Sequence, residues 1–269
     1  MGKKWGILII ILLLLLPAVL AEESKQGRTK LLAIINKDGS QFGTAATLDL
    51  DVQPGKERVF LETFPLTQIS TQVSVRFAQQ MACSELDIDC SKYDFFYTIR
   101  ALPGVVGGPS AGAAAAVLTA ALILDQPIRK DVAITGTINS GGIIGAVGGI
   151  KGKIKAASEN GINHVLIPRG TRMLAGKIIA DVSNNSTNLT VDENASKLDL
   201  VEYGKNLSIT VSEVATLAEA LEIFTGYKIE EPDINLSIDS AYNQTMKEVS
   251  EDLCSRNQEV IDALATLRK

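Results

Sequence analysis

The feature that most constrains this chain is the run "SAGAAAAVLTAALILD", Ser110 to Asp125, which follows directly on "GGP". Alanine and leucine lead the helix-propensity scale, and nothing after Gly112 interrupts the run, so it reads as one helix. Gly107 and Gly108 place a glycine turn in front of it, and Pro109 pre-sets the backbone angle of a first helical turn. The chain is 46% hydrophobic but only 5% aromatic, so its core is built mainly from Ala, Val, Ile and Leu.

Around that helix the sequence alternates between strand and helix signals. "TKLLAIIN", "TAATLDLDVQ", "ERVFLETF", "YDFFYTIRAL" and "DVAITGTI" read as strands, and "HVLIP" as a short buried strand ended by Pro168. "LTQISTQVSVRFAQQMA" reads as a helix with Ile69, Val73, Val75, Phe77 and Met81 on an apolar face. "IKGKIKAASEN" is a helix stopped at Gly161. "LDLVEY" and "VSEVATLAEALEIFTG" close the domain as strand and helix. The interleaving gives an α/β or α+β domain over about 28–228, with a polar, sequon-rich insertion at 170–198. After the linker "IEEPDIN", residues 237–269 form a C-terminal helix. Met246, Leu253, Val260 and Leu267 recur every seven residues along it, and Arg256 interrupts the second seam. Docking on its own domain and self-association both fit that pattern.

Lys3 and Lys4 precede an apolar run from Trp5 to Ala21. Two readings of residues 1–21 stand: a secretory signal peptide cleaved before Glu22, or an uncleaved membrane anchor. Both put the remainder of the chain outside the cytoplasm. N-x-S/T sequons at Asn184, Asn185, Asn188, Asn194, Asn206, Asn235 and Asn243 agree with export. So does the pair Cys83 and Cys90, spaced to close a short loop by a disulfide in an oxidising compartment; two reduced thiols are the alternative. Cys254 is left over. The net charge is −5 and no basic stripe is interleaved with aromatics, which argues against nucleic acid as a partner.

Much chemistry is excluded by what is missing. His164 is the only histidine. It opens an apolar strand and reads as structural, so a Ser-His-Asp triad has one candidate base at most and histidine-rich zinc sites are excluded. No G-x-x-x-x-G-K-[ST] run occurs, so no nucleotide site of that kind is expected. The glycines of "GGIIGAVGGIKGK" lack the dinucleotide-binding spacing, so no cofactor is expected. What remains is Ser110 with the lysines of "GGIKGKIKAA", Lys151, Lys153 and Lys155. A lysine serves as general base only where burial or positive neighbours lower its pKa. Backbone N–H groups at a helix start suit an oxyanion, which singles out Gly108, Pro109, Ser110 and Ala111. From the residues alone, a helix cap at Ser110 and a solvated basic turn at the lysines stand beside this reading.

The stretch from about Lys30 to Gly226 resembles the proteolytic domain of Lon-type serine peptidases. "GPSAG" at 108–112 matches that family's nucleophile motif letter for letter. Thr135-Gly136, "GGIKGK" at 148–153 and "GINHVLIP" at 161–168 match further family motifs in order. Lys153 lies 43 positions after Ser110, the family's spacing. The resemblance implies an α+β fold of small mixed sheets with packed helices. It implies Ser110 as nucleophile, Lys153 as general base and Thr135 as the hydroxyl that holds the lysine amine. Two positions depart from the family pattern: Gly107 and Thr137 stand where acidic residues are common. The cytosolic members carry an ATPase ring, and the match here is to the archaeal exported or membrane-linked branch that lacks it.

The function expected is an ATP-independent serine endopeptidase acting on peptides or unfolded proteins outside the cytoplasm. It is expected to be secreted or held at the membrane by residues 1–21, and to form a homo-oligomer, a ring of six by the resemblance. The alternative is a catalytically inactive scaffold or binding protein of the same fold, and a third reading is self-processing alone.

Overall fold

Residues 46–52 alternate strictly between buried and outward positions: Ala46, Leu48, Leu50 and Val52 point inward, with Thr47, Asp49 and Asp51 between them. That two-residue period is the mark of a strand with one face on a core. In the computed structural model, residues 24–37, 40–64, 66–101, 107–174, 178–183, 186–191, 198–229 and 240–267 are described. The alternating segment lies in β2 (Ser40–Pro54), which pairs antiparallel with β1 (Lys25–Lys37), Leu31 opposite Ala46. β2 also pairs antiparallel with β4 (Tyr93–Arg100), Leu50 opposite Tyr97. β3 (Val59–Phe64) runs parallel to β4, which requires a crossover, and α1 (Ile69–Glu85) supplies it. The sheet order is β1-β2-β4-β3.

Against this sheet lies α2 (Gly112–Ile123), in which every residue but Leu122 is buried. A helix apolar on all sides belongs inside a core. Its one polar side chain, Thr119, donates to Ala115 O (2.7 Å) and shares a 2.6 Å hydrogen bond with the buried Tyr97 hydroxyl. The expected apolar face of α1 is borne out in part: Val75 is buried and Phe77 and Met81 pack against the core, but the small residues of α2 face small and polar side chains of α1. The buried face is Thr71, Ser74, Val75, Ala78, Gln79, Ala82 and Cys83, whereas Ile69 and Val73 are exposed.

A second, wholly parallel sheet has the order β13-β8-β5, from β5 (Val132–Ile134), β8 (His164–Pro168) and β13 (Thr210–Val214). With α3 (Ile150–Ser158) and α4 (Leu200–Lys205) it encloses a smaller core containing Ile154, Ile162, Val165, Ile167 and Leu200. β1 serves both cores. The neighbours Leu31 and Leu32 are both buried, Leu31 in the core around α2 and Leu32 in the core around α3. Helix α3 lies backbone to backbone on β2: a Cβ placed on Gly43 stands 1.8 Å from Gly152 O. α5 (Leu217–Thr225) completes this unit, which runs to Ile229. The whole is a mixed α+β architecture.

Three local expectations are corrected. "DVAITGTI" is two strands, β5 and β6 (Thr137–Ile138), because Thr135 and Gly136 leave the pairing between them. β6 pairs with β7 (Ile144–Gly145). "LDLVEY" is only briefly extended, as β12 (Leu198–Asp199): the Asp199 carboxylate accepts the amides of Val201 and Glu202 and starts α4. "VSEVA" is the strand β13, and the helix after it begins where Thr216 accepts the Glu219 amide. Within 170–198, β9 (Met173–Leu174) pairs with β12, and β10 (Ile178–Ser183) forms a hairpin with β11 (Ser186–Val191).

The second unit, from Glu230, carries α6 (Ser240–Leu267). Met246, Val249, Leu253 and Val260 are exposed along it, and Arg256 pairs with Asp252 one turn earlier. Among the described residues no helix is long and apolar enough to cross a membrane, and residues 1–21 lie outside the described residues.

The Gly43 contact yields a stability test. Gly43→Ala forces α3 off β2 and is expected to lower the unfolding free energy by about 1–3 kcal/mol in urea titration. Gly148→Ala, whose Cβ meets nothing within 4 Å, is expected to leave the midpoint unchanged.

Candidate active site

The break between β5 and β6 organises the site. Thr135 is fully buried at the C-terminal end of β5, and its amide donates to Leu166 O at 3.1 Å, so its position is fixed by the parallel sheet. Its hydroxyl accepts a 2.9 Å hydrogen bond from Lys153 Nζ. The next residue reaches the other side of the site: Gly136 N donates to Ser110 O at 3.2 Å, and Ala113 N donates to Gly136 O at 3.1 Å. Two consecutive residues thus tie the lysine side chain and the serine backbone to one sheet end.

Lys153 is placed by the periodicity of α3. Ile150, Ile154 and Ala157 face the smaller core, and Lys153 shares their side of the helix, only 3% exposed. Lys151 and Lys155 point outward, and Lys151 Nζ sits 5.5 Å from the centre of the Tyr203 ring. No carboxylate pairs with Lys153 among the described residues. Burial disfavours the ammonium and brings its pKa down to about 8.

Ser110 sits in a single 3-10 turn, Pro109–Ala111, and α2 begins only at Gly112, which corrects the expectation that Ser110 itself opens the α-helix. Gly108 precedes it at φ 110°, a conformation that glycine alone adopts easily, with open space beside its Cα. Pro109 has no N–H, so of the four residues expected to bind an oxyanion or substrate backbone only Gly108, Ser110 and Ala111 carry an amide donor. The turn is strapped from α1: Ser74 Oγ donates to Pro109 O at 3.0 Å and Thr71 Oγ1 to Gly108 O at 3.3 Å. Sequence reading missed both residues. Their signal was spacing: Thr71, Ser74, Ala78 and Ala82 recur at three- and four-residue steps, a face of small and hydroxyl side chains.

Ser110 and Lys153 line one cavity of about 500 Å³. Gly107, Gly108, Thr137 and Gly149 border it, with Ile34 and Val147 as its larger apolar walls. Lys153 is the only ionisable group among the described residues that line it. Gly107 and Thr137, the two departures from the acidic pattern, both lie on this cavity. His164 does not line it: it sits at the opposite, N-terminal end of β8, where Nε2 is 2.9 Å from Ser212 Oγ. Cys83 and Cys90 form a disulfide that ties the last turn of α1 to the start of β4, and Cys254 is exposed on α6. Among the described residues no cluster of His, Cys, Asp and Glu has the form of a metal site.

The family profile of the Lon protease (S16) C-terminal proteolytic domain matches residues 62–201. Lon protease of Methanosphaera stadtmanae is 30% identical over 192 residues, covering 69% of this chain and 20% of that protein. Lon protease of Paraburkholderia phytofirmans is 44% identical over 89 residues, covering 32% of this chain and 11% of that protein. Lon protease 2 of Sorangium cellulosum is 44% identical over 77 residues, covering 29% of this chain and 10% of that protein. The chain therefore spans between a tenth and a fifth of the length of these curated relatives. The profile covers more than half of the sequence and takes in the nucleophile turn, Thr135 and Lys153; the chain belongs to the family of Lon protease (S16) C-terminal proteolytic domains.

Proposed function

We propose that this chain is a serine endopeptidase in which Ser110 is the nucleophile and Lys153 the general base. The observation that carries the reading is a buried lysine amine, held by Thr135, in the same cavity as the serine of a glycine-flanked turn. At pH 7 a lysine with a pKa of about 8 is neutral in about one molecule in ten, against roughly one in a few thousand for an exposed lysine. Neutral Lys153 takes the Ser110 proton as Oγ attacks the peptide carbonyl. The carbonyl electron pair moves to oxygen, where amides of the 108–111 turn receive it. The tetrahedral intermediate then expels the amine, which takes the proton from Lys153 and leaves an acyl-enzyme. Lys153 next takes a proton from a water as its oxygen bonds to the acyl carbon; the C–Oγ bond then breaks, the proton passes from Lys153 to Ser110 Oγ, and the acid leaves.

The reading extends to the setting of the enzyme. The leader at 1–21 and the sequons support action outside the cytoplasm, after secretion or at the membrane, and the Cys83–Cys90 disulfide belongs in an oxidising compartment. Nucleotide is scarce there, so hydrolysis proceeds without ATP, on peptides or unfolded proteins. This is the setting of the exported branch of the family. The chain works as a homo-oligomer, a ring of six, with the exposed apolar stripe of α6 as one contact between subunits. Light scattering of the full chain and of a 237–269 deletion tests the assembly.

Hydrolysis of a fluorogenic peptide tests the chemistry. Ser110→Ala and Lys153→Ala are expected to abolish turnover, while Lys151→Ala and Lys155→Ala retain it. A dead Lys151→Ala beside an active Lys153→Ala contradicts the assignment, and equal rates for wild type and Ser110→Ala favour the inactive scaffold. Thr135→Val is expected to lower kcat by roughly one to two orders of magnitude, the worth of one hydrogen bond to a charged group at about 1.5–3 kcal/mol.

The burial of Lys153 also sets two pH effects. The rate is expected to rise with pH through a midpoint near 8, as the base loses its proton. Unfolding restores the ordinary lysine pKa, so between about 8 and about 10.4 the unfolded chain binds the extra proton and stability rises with pH. Below 8 the penalty is present in full. Lys153→Met is therefore expected to be inactive yet to melt at a higher temperature than wild type at pH 7, and a lower melting temperature contradicts the burial penalty.

A further inference from the structure

Ser74 stands outside the cavity and on a different element from every residue assigned a chemical role above. It is nevertheless tied to the nucleophile turn. Its hydroxyl is on the buried face of α1, 8% exposed, and donates to Pro109 O at 3.0 Å. That carbonyl belongs to the peptide unit whose N–H is that of Ser110. In a planar trans peptide the C=O and the N–H point in opposite directions, so whatever fixes one aims the other. A hydrogen bond that draws Pro109 O toward α1 turns the Ser110 N–H away from α1.

Pro109 O also accepts the amide of Gly112, which closes the 3-10 turn. A carbonyl oxygen has two acceptor sites, and the backbone occupies one while Ser74 occupies the other. Thr71 holds the preceding carbonyl, Gly108 O, from the same face of α1 at 3.3 Å. The last glycine of "GPSAG" fits the same arrangement: a Cβ on Gly112 would lie 2.6 Å from Ser74 Oγ. Gly112 leaves the space that the Ser74 hydroxyl occupies, so the serine of α1 and the glycine of the motif work as a pair.

We propose that Ser74 is a positioning residue for the reaction, fixing the Pro109–Ser110 peptide plane so that the Ser110 amide is aimed at the oxyanion. This rests on the peptidase reading above. The oxyanion exists only in the tetrahedral state, so the effect belongs to kcat and leaves substrate binding nearly unchanged.

The experiment compares wild type, Ser74→Ala, Gly112→Ala and the double variant as full chains, with Ser110→Ala as control. It measures kcat and KM on one fluorogenic peptide, and inhibition by the aldehyde of the same peptide. The aldehyde carbon bonds to Ser110 Oγ, its π electron pair moves to oxygen and the serine proton passes to Lys153, so its affinity reports the oxyanion site. Ser74→Ala is expected to lower kcat about ten- to hundredfold, to leave KM within about twofold, and to weaken the aldehyde in parallel with kcat. Gly112→Ala displaces the same hydroxyl and is expected to behave likewise, which keeps the test available if Ser74→Ala does not fold. The double variant is expected to lose no more than the worse single one, since both remove one interaction. Wild-type kcat and aldehyde affinity in folded Ser74→Ala, beside an inactive Ser110→Ala, overturn the role of Ser74. So does a fall in kcat with unchanged aldehyde affinity. Hydrolysis unaffected by Ser110→Ala overturns the peptidase reading itself, and this role with it.

Discussion

A lysine amine enclosed in protein, with a threonine hydroxyl as its hydrogen-bond partner and no carboxylate paired with it among the described residues, is the constraint on which the site depends. An ammonium in such a place loses hydration, so the pKa falls and the neutral amine is more populated than in an exposed lysine. A carboxylate in the cavity would reverse this by holding the proton on the lysine. Gly107 and Thr137 add no charge to that wall. The same burial that weakens the fold at neutral pH supplies the base.

Holding the amine there takes two cores. α3 carries Lys153 and is pressed onto β2 through the Gly43–Gly152 backbone contact, while its apolar face fills the smaller core with β8 and α4. α2 carries the nucleophile turn and fills the larger core. The strand β1 contributes Leu31 to one and Leu32 to the other, and Thr135-Gly136 joins the two halves at the site, one residue to each partner. The alanine-rich sequence of α2 belongs to this arrangement. Only small side chains let α1 lie close enough for Ser74 and Thr71 to reach the carbonyls of the turn.

Much of this was legible from residues. The period of two in 46–52 and the unbroken run after Gly112 each had one reasonable reading, and the structure has β2 and α2 there. Ser110, Thr135 and Lys153 were singled out together only by the resemblance to Lon-type proteolytic domains, and they meet at one sheet end. The alternation of Lys151, Lys153 and Lys155 left open which one turned inward, because helical spacing fans them apart without saying where the core lies. The face of α1 was read correctly at Val75, Phe77 and Met81 and misread at Ile69 and Val73, where bulk was taken as the sign of burial. The face of α1 that is buried carries Thr71, Ser74 and Ala78 beside Val75, while Ile69 and Val73 are exposed. "LDLVEY" was misread because apolar alternation outweighed Asp199, a capping residue that starts a helix. Thr71 and Ser74 escaped notice because a hydroxyl that binds a distant carbonyl has no local sequence signature beyond its spacing.

The most direct test of the account is the titration of Lys153 itself, followed by NMR of the side-chain ¹³Cε resonances of a lysine-labelled chain, with Lys153→Met used for assignment. The account predicts one lysine that titrates near pH 8, absent from the Lys153→Met spectrum. A Lys153 resonance that titrates at the ordinary lysine pKa would contradict it, because only about one amine in a few thousand would then be neutral at pH 7 to serve as the base for Ser110.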